Sequence, residues 1–192
     1  MTQATYDDKK LVIDILSQSF DANQSVNYVI HQDNKRIRRI QALMAYSFNV
    51  CFQFGNVYLT DDRTACALIL FPDKKKTSLK TISWDIKLII KSFGILNIYK
   101  VLSRESKIKK HQPNELMYYL WFVGVLPERQ NTGRGTQLIN EIIKDSKRIG
   151  RAIYLETSTV KNIPWYKKFG FEIYDQLDLS YRLFFLKRDI NK

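Results

Sequence analysis

The sequence predicts an α/β (α+β) fold in one globular domain, and three observations carry that prediction. Segments with apolar residues at helical spacing alternate with runs of strand type. One run, Glu115 to Pro127, is almost continuously apolar and aromatic. A glycine-bearing turn, Gly133-Arg134-Gly135, joins that run to a further helical segment. With 192 residues, of which 45% are hydrophobic, the chain has material for one sizeable core, and its 7 glycines and 4 prolines form no linker that would divide it.

The elements follow in order. Val12, Ile15, Leu16 and Phe20 recur at helical spacing, as do Ile37, Ile40, Met44 and Phe48, which predicts two amphipathic helices packed as one layer. "NVYLTDDRTACALILF" reads as two strands around the polar turn Asp61-Asp62-Arg63. Leu79 to Val101 reads as a single apolar helix, with Ile82, Ile86, Ile89, Ile90 and Phe93 on a stripe expected to pack on the sheet or roof a pocket. Asp85, Lys87 and Lys91 make it a poor membrane span, so no membrane insertion is expected, and a surface-lying amphipathic helix is its other use. "SRESKIKKHQP" reads as a basic, exposed connection.

Glu115 to Pro127 predicts a central strand covered on both faces. Leu138, Ile139, Ile142, Ile143 and Ile149 then form a helical stripe that Gly150 closes. "RAIYLETS" is a strand, and "NIPWYKKF" is a short helix with Pro164 in its first turn. The chain ends in a strand pair in which Leu177, Leu179, Tyr181, Leu183 and Phe185 alternate.

Net charge is +12, from 31 Lys and Arg against 19 Asp and Glu, and attracts anions of any kind: a polyphosphate cofactor, nucleic acid or an acidic membrane surface. The aromatics do not interleave with the basic runs "DKKK" and "KIKKH", so a platform for specific nucleic-acid binding is not indicated. Cys51 and Cys66 lack metal-type or CxxC spacing and predict buried thiols in a reducing compartment. The start, "MTQATYDDKK", lacks the apolar core of a signal peptide, and the expected location is the cytoplasm. His31 and His111 lie in polar segments without an accompanying ligand set, so no metal is expected. No nucleophile signature such as G-x-S-x-G occurs.

The glycine turn carries the chemistry. A helix begins with N–H groups that lack internal partners and with positive potential from its dipole, so a strand-to-helix turn suits an anion. Side chains at Gly133 and Gly135 would obstruct a phosphate there, while Arg129 and Arg134 add charge and Thr132 and Thr136 add hydroxyls. The turn lacks the lysine pattern of a P-loop, and Leu138 stands where a dinucleotide fingerprint needs its third glycine.

Gln130-Asn131-Thr132-Gly133-Arg134-Gly135, with Val125-x-Pro127 upstream, resembles the Arg/Gln-x-x-Gly-x-Gly/Ala motif of the GNAT superfamily, the acyl-CoA-dependent N-acetyltransferases. Asn162, Tyr166, Gly170 and Phe171 resemble that superfamily's second signature. The resemblance spans Glu115 to Phe171 and rests elsewhere on element order alone. It implies a mixed, mostly antiparallel central sheet splayed at its fourth strand and flanked by helices, with acetyl-CoA in the opening. Backbone N–H groups of Gln130, Asn131, Thr132, Gly133, Arg134, Gly135 and Thr136 would hold the pyrophosphate. Val123 and Val125 would pair through their backbone with the pantetheine arm, and Asn162 would bond that arm from the other side.

Tyr166 matches the family's usual general acid, and a phenol suits protonation of a departing thiolate. A backbone N–H of the splayed strand would stabilise the oxyanion. For the base, Glu156 and Glu115 are candidates, directly or through water, with Tyr118 or Tyr119 lining the route. Related sequences often place a His on this strand where Met117-Tyr118-Tyr119 stand here.

The function so implied is transfer of the acetyl group of acetyl-CoA to a primary amine by direct attack in a ternary complex. A non-catalytic CoA-binding sensor or scaffold, and a basic protein of nucleic-acid or membrane surfaces, are the alternatives. The acceptor site is expected from Ser19 to Asn34 and from Lys80 to Pro113, where Trp84, Phe93, Tyr99 and many lysines suit an apolar or acidic amine. Oligomeric state is not legible, and a homodimer stays open.

Overall fold

The computed structural model describes residues 1–94 and 97–191. Seven strands form one sheet: β1 (Thr2–Gln3), β2 (Gly55–Leu59), β3 (Ala65–Leu70), β4 (Tyr118–Val125), β5 (Ile153–Thr157), β6 (Glu172–Asp178) and β7 (Arg182–Arg188), in the order β1-β2-β3-β4-β5-β7-β6. Every neighbouring pair is antiparallel except β4 and β5. The helices are α1 (Lys9–Ser19), α2 (Gln24–Val29), α3 (Arg36–Phe54), α4 (Leu79–Leu88), α5 (Ile98–His111), α6 (Arg134–Ile149) and α7 (Ile163–Lys168).

The sheet separates two apolar cores. On one face Val12, Ile15, Leu16, Ile40, Met44 and Phe48 of α1 and α3 pack against Leu68, Tyr119 and Phe122. On the other, Leu138, Ile139 and Ile142 of α6 and Tyr166 of α7 pack against Ile69, Tyr118, Leu120 and Leu155. Covering both faces explains why β4 is apolar along its whole length. α1 lies so close to β4 that a Cβ on Gly124 would come within 2.8 Å of Leu16 Cδ2. A side chain at 124 would require Leu16 to shift.

The fourth strand splays. β4 and β5 pair only at Tyr118 with Ile153 and Tyr119 with Tyr154, although both strands run on beyond that point. A β-bulge lies there: Leu68 faces Phe122 and Ile69 faces Leu120, which leaves Trp121 as the extra residue. The added residue raises the local twist and turns β4 away from its parallel partner.

Several expectations need correction. Leu79 to Val101 is not one helix: α4 passes through a π-turn, Ile89–Phe93, and stops at Gly94, which has φ +72°, while Ile95 and Leu96 lie outside the described residues. The predicted inward stripe is largely reversed. Ile82, Ile86 and Ile90 are exposed, and Thr81, Leu88 and Phe93 are the buried side. The expected basic connection is α5, held by buried Val101 and Ile108. Strand β1 and helix α2 had no clear periodic signal, being too short to show one.

Candidate active site

The glycine turn leaves β4 at Val125 and enters α6 at Arg134. Asn131 and Gly133 have φ of +61° and +84°, so the backbone coils and presents successive N–H groups to one side. The first helical bond of α6 runs from Gln137 N to the Gly133 carbonyl. Among the described residues, the amides of residues 131–136 have no acceptor. That is the donor array an anion requires.

The two glycines serve different ends. Gly133 sits in the left-handed region, where a side chain is strained, though nothing lies within 4 Å of its Cβ position. Gly135 is ordinary helix, and a Cβ there would meet Trp165 Cζ2 at 3.5 Å and Val125 Cγ2 at 3.7 Å, normal contacts. The fold therefore tolerates a methyl at 135, and a ligand is the better reason for a bare Cα. The same distances join the two motifs in space: Trp165 of α7 reaches Gly135, and its Nε1 lies 3.4 Å from Thr136 Oγ1.

Side chains around the turn depart from expectation. Arg134 is tied to Asp62 at 2.6 Å, so its charge is partly neutralised within the protein. Thr132 Oγ1 donates to the Arg129 carbonyl at 2.6 Å, and exposed Gln130 reaches the Val125 carbonyl at 3.4 Å. The unpartnered backbone N–H groups are therefore the main donors at the turn, with these side chains as its rim.

On the splayed side, the register Ala65 with Val125, together with the bond from Leu126 N to the Thr64 carbonyl, turns the N–H and C=O of Val123 and Val125 away from β3. Beyond Tyr119 no strand among the described residues meets that edge. One expectation fails in part: the Val125 carbonyl already accepts from Ser19 Oγ at 2.8 Å. Val123 keeps both backbone groups free and Val125 its N–H, among the described residues. Asn162 precedes α7, half-buried, and its side-chain amide makes no hydrogen bond among the described residues.

Tyr166 is buried, edge-on to Trp165 at 4.8 Å and Phe171 at 5.5 Å, and its hydroxyl has no partner among the described residues. Desolvation pushes the phenol up to about 12, so it holds its proton throughout the neutral range.

Residues 98–173 match the sequence family described as Acetyltransferase (GNAT) domain. That stretch resembles the GNAT acetyltransferase family. Solved structures agree in fold. A Corynebacterium glutamicum protein described as histone acetyltransferase HPA2 and related acetyltransferase superposes with a TM-score of 0.73 at 18% identity, over 98% of this chain and 94% of that one. Arylalkylamine N-acetyltransferase 2 from Aedes aegypti gives 0.64 at 14% identity, over 99% and 98%. An N-acetyltransferase from Staphylococcus aureus gives 0.59 at 15% identity, over 96% and 97%. The family matched over residues 98–173 is one of acyltransferases whose chemistry is acetyl transfer.

Within this GNAT-like fold the base candidates separate. Glu156 stands on the splaying half of β5, and its carboxylate accepts from the Tyr119 hydroxyl and from Gln112 Nε2 at 2.9 Å. Desolvation raises its pKa above the ordinary carboxylate value, and the two hydrogen bonds and the nearby Arg104 guanidinium oppose that rise. Glu115 precedes β4 at the closed end of the sheet and is held by the Tyr154 hydroxyl and Lys187. Tyr118 turns to the α6 face, where it and Tyr58 each donate to Asp145 at 2.9 Å. Neither borders the opening, which corrects both readings. Tyr166 and Glu156 stand on opposite faces of the sheet with no contact between them, and the gap between β4 and β5 is the passage from one to the other.

Sequence reasoning missed Gln112 and Arg104. Arg104 donates to the Tyr181 hydroxyl at 2.9 Å and to Ser25 Oγ at 2.5 Å, which joins α5 to α2 and to the β6–β7 turn beside Glu156. The available signal was Val101 and Ile108, apolar and on the same helical face, two turns apart, inside a basic run. Of the expected acceptor-site aromatics, Trp84 packs toward α3, Phe93 is buried and Tyr99 is 85% exposed. No group of His, Cys, Asp and Glu among the described residues has metal-site geometry. His111 Nδ1 instead meets Asp175 at 2.6 Å.

Proposed function

We propose that the protein transfers the acetyl group of acetyl-CoA to a primary amine by direct attack in a ternary complex. The observation that carries this reading is the meeting of the two motifs: the free amides of residues 131–136 lie beside α7 and the unpaired edge of β4. Those amides bind the pyrophosphate. Val123 and the Val125 N–H bond the pantetheine arm from β4, and Asn162 bonds it from α7.

Glu156, through Tyr119 or a water, takes the proton that an ammonium must lose before its nitrogen can attack. The nitrogen adds to the thioester carbonyl, and an N–H of the β4 edge bonds the oxyanion. The carbon–sulfur bond then breaks, and Tyr166 gives its proton to the leaving thiolate.

The acceptor side favours an amine with an apolar body. Tyr119 stacks on Trp121 at 6.4 Å, and Tyr46 stands edge-on to Trp121 at 6.3 Å. The Aedes neighbour, named for arylalkylamines, supports the same class. The test is release of CoA thiol from acetyl-CoA across a panel of arylalkyl, aliphatic and peptide amines. Turnover fastest with the arylalkyl group is expected. Parallel double-reciprocal plots would overturn direct attack, and tight CoA binding without turnover would favour a sensor.

A further inference from the structure

α4 turns aliphatic side chains to solvent. Leu79, Ile82, Ile86 and Ile90 are 88%, 42%, 52% and 63% exposed, and they recur every three or four residues as one stripe. The opposite side, Thr81, Trp84 and Leu88, closes on α3. A contiguous row of exposed aliphatics marks an interaction surface.

Its surroundings identify the occupant. Lys80, Lys87 and Lys91 lie on one flank of the stripe, and the exposed run Lys74, Lys75 and Lys76 leads into the helix. Beyond Ile90 and Lys91 a groove of 1170 Å³ between α1, α3 and α4 is lined also by Lys10, Lys35 and Arg38, with Asp7 and Asp14 as its only carboxylates. On the other flank, Asp85 accepts from the Tyr46 hydroxyl at 2.8 Å. A second copy of the chain on this stripe would set lysines against lysines. Nucleic acid would find aliphatic chains rather than rings to stack on. An anionic lipid surface satisfies both parts, since aliphatic side chains enter the acyl boundary while ammonium groups meet phosphates.

We propose that α4 docks the protein on an anionic lipid surface, with Leu79, Ile82, Ile86 and Ile90 entering the boundary and Lys80, Lys87 and Lys91 meeting the headgroups. The experiment is co-sedimentation of the full chain with vesicles of phosphatidylcholine alone and of phosphatidylcholine mixed with phosphatidylglycerol. Binding to the mixed vesicles, weakened by salt, is expected. Ile82→Glu/Ile86→Glu should reduce partitioning by about tenfold or more, from lost apolar burial. The milder Ile82→Ser/Ile86→Ser should act in the same direction, and both variants should melt as the native protein does because these side chains face outward. Lys87→Glu/Lys91→Glu should weaken binding by about fivefold or more per lysine, whereas Lys109→Glu/Lys110→Glu, an equal charge change on α5, should leave most of it. Native-like binding by both stripe variants would overturn the proposal, leaving only general charge attraction. Absence of vesicle binding would also overturn it, whether accompanied by a concentration-dependent dimer or by nucleic-acid binding that the stripe variants abolish.

Discussion

Gly135 shows how a single residue separates the demands of fold and ligand. Its Cβ position is sterically ordinary, so Gly135→Trp should leave a folded protein that no longer binds acetyl-CoA, as calorimetric titration would show. Gly133→Ala differs, because φ of +84° should cost about 1 kcal/mol of stability, read from a denaturant melt. Tyr166→Phe removes an acid that has no structural hydrogen bond among the described residues. It should spare acetyl-CoA affinity and lower kcat by about a hundredfold. If Glu156 acts as base it must be ionised, and burial raises its pKa, so kcat/KM should climb with pH through a midpoint above the ordinary carboxylate range, and Glu156→Gln should remove that limb. For stability the sign is opposite. A carboxyl whose folded pKa is raised contributes fully below its unfolded pKa and loses that contribution as pH rises through the folded one. Any stability advantage of Glu156→Gln over native protein should therefore shrink as pH falls, which thermal melts across pH would show.

At the scale of elements, α6 shows how a helix N-terminus is held in place. Its inner face buries Leu138, Ile139 and Ile142, and Asp145 on the same side accepts from Tyr58 of β2 and Tyr118 of β4. Asp145→Ala would leave two buried phenols without an acceptor, at a cost of about 1–3 kcal/mol. Adding Tyr58→Phe and Tyr118→Phe should recover part of that loss, which equilibrium unfolding would measure. The elements also mark where sequence reading stops. β4, α6 and the turn between them were legible because a covered strand, a glycine turn and a helical stripe are each local patterns. α4 and α5 were not: their apolar and basic residues fit one long helix followed by a loop as well as two helices with Gly94 between them.

The molecule as a whole is one sheet with a main core on each face, a smaller cluster of Ile108, Leu183 and Phe185 beside α5, and a slit where β4 leaves β5. Filling the slit should join motifs that the free chain holds through few contacts. Acetyl-CoA at about a hundred times its dissociation constant adds roughly 2.7 kcal/mol. The thermal midpoint should rise by about 2–4 °C for each kcal/mol in a chain of this size, with CoA but not ATP reproducing the effect. No rise at saturation would remove the site assignment. Among the described residues no helix is long and apolar enough to cross a membrane.

The sequence by itself determined the element order through the motif region and both GNAT signatures, because these depend on residue type at short spacing. Tertiary structure alone decided the rest. It set Arg134 against Asp62, closed the Val125 carbonyl with Ser19, sent Tyr118 to Asp145 and Tyr119 to Glu156, and turned the isoleucines of α4 outward. The reason is common to all of these. Which face an element buries, and which distant side chain closes a hydrogen bond, depends on the sheet's register and on the bulge at Trp121. No local window of sequence contains either.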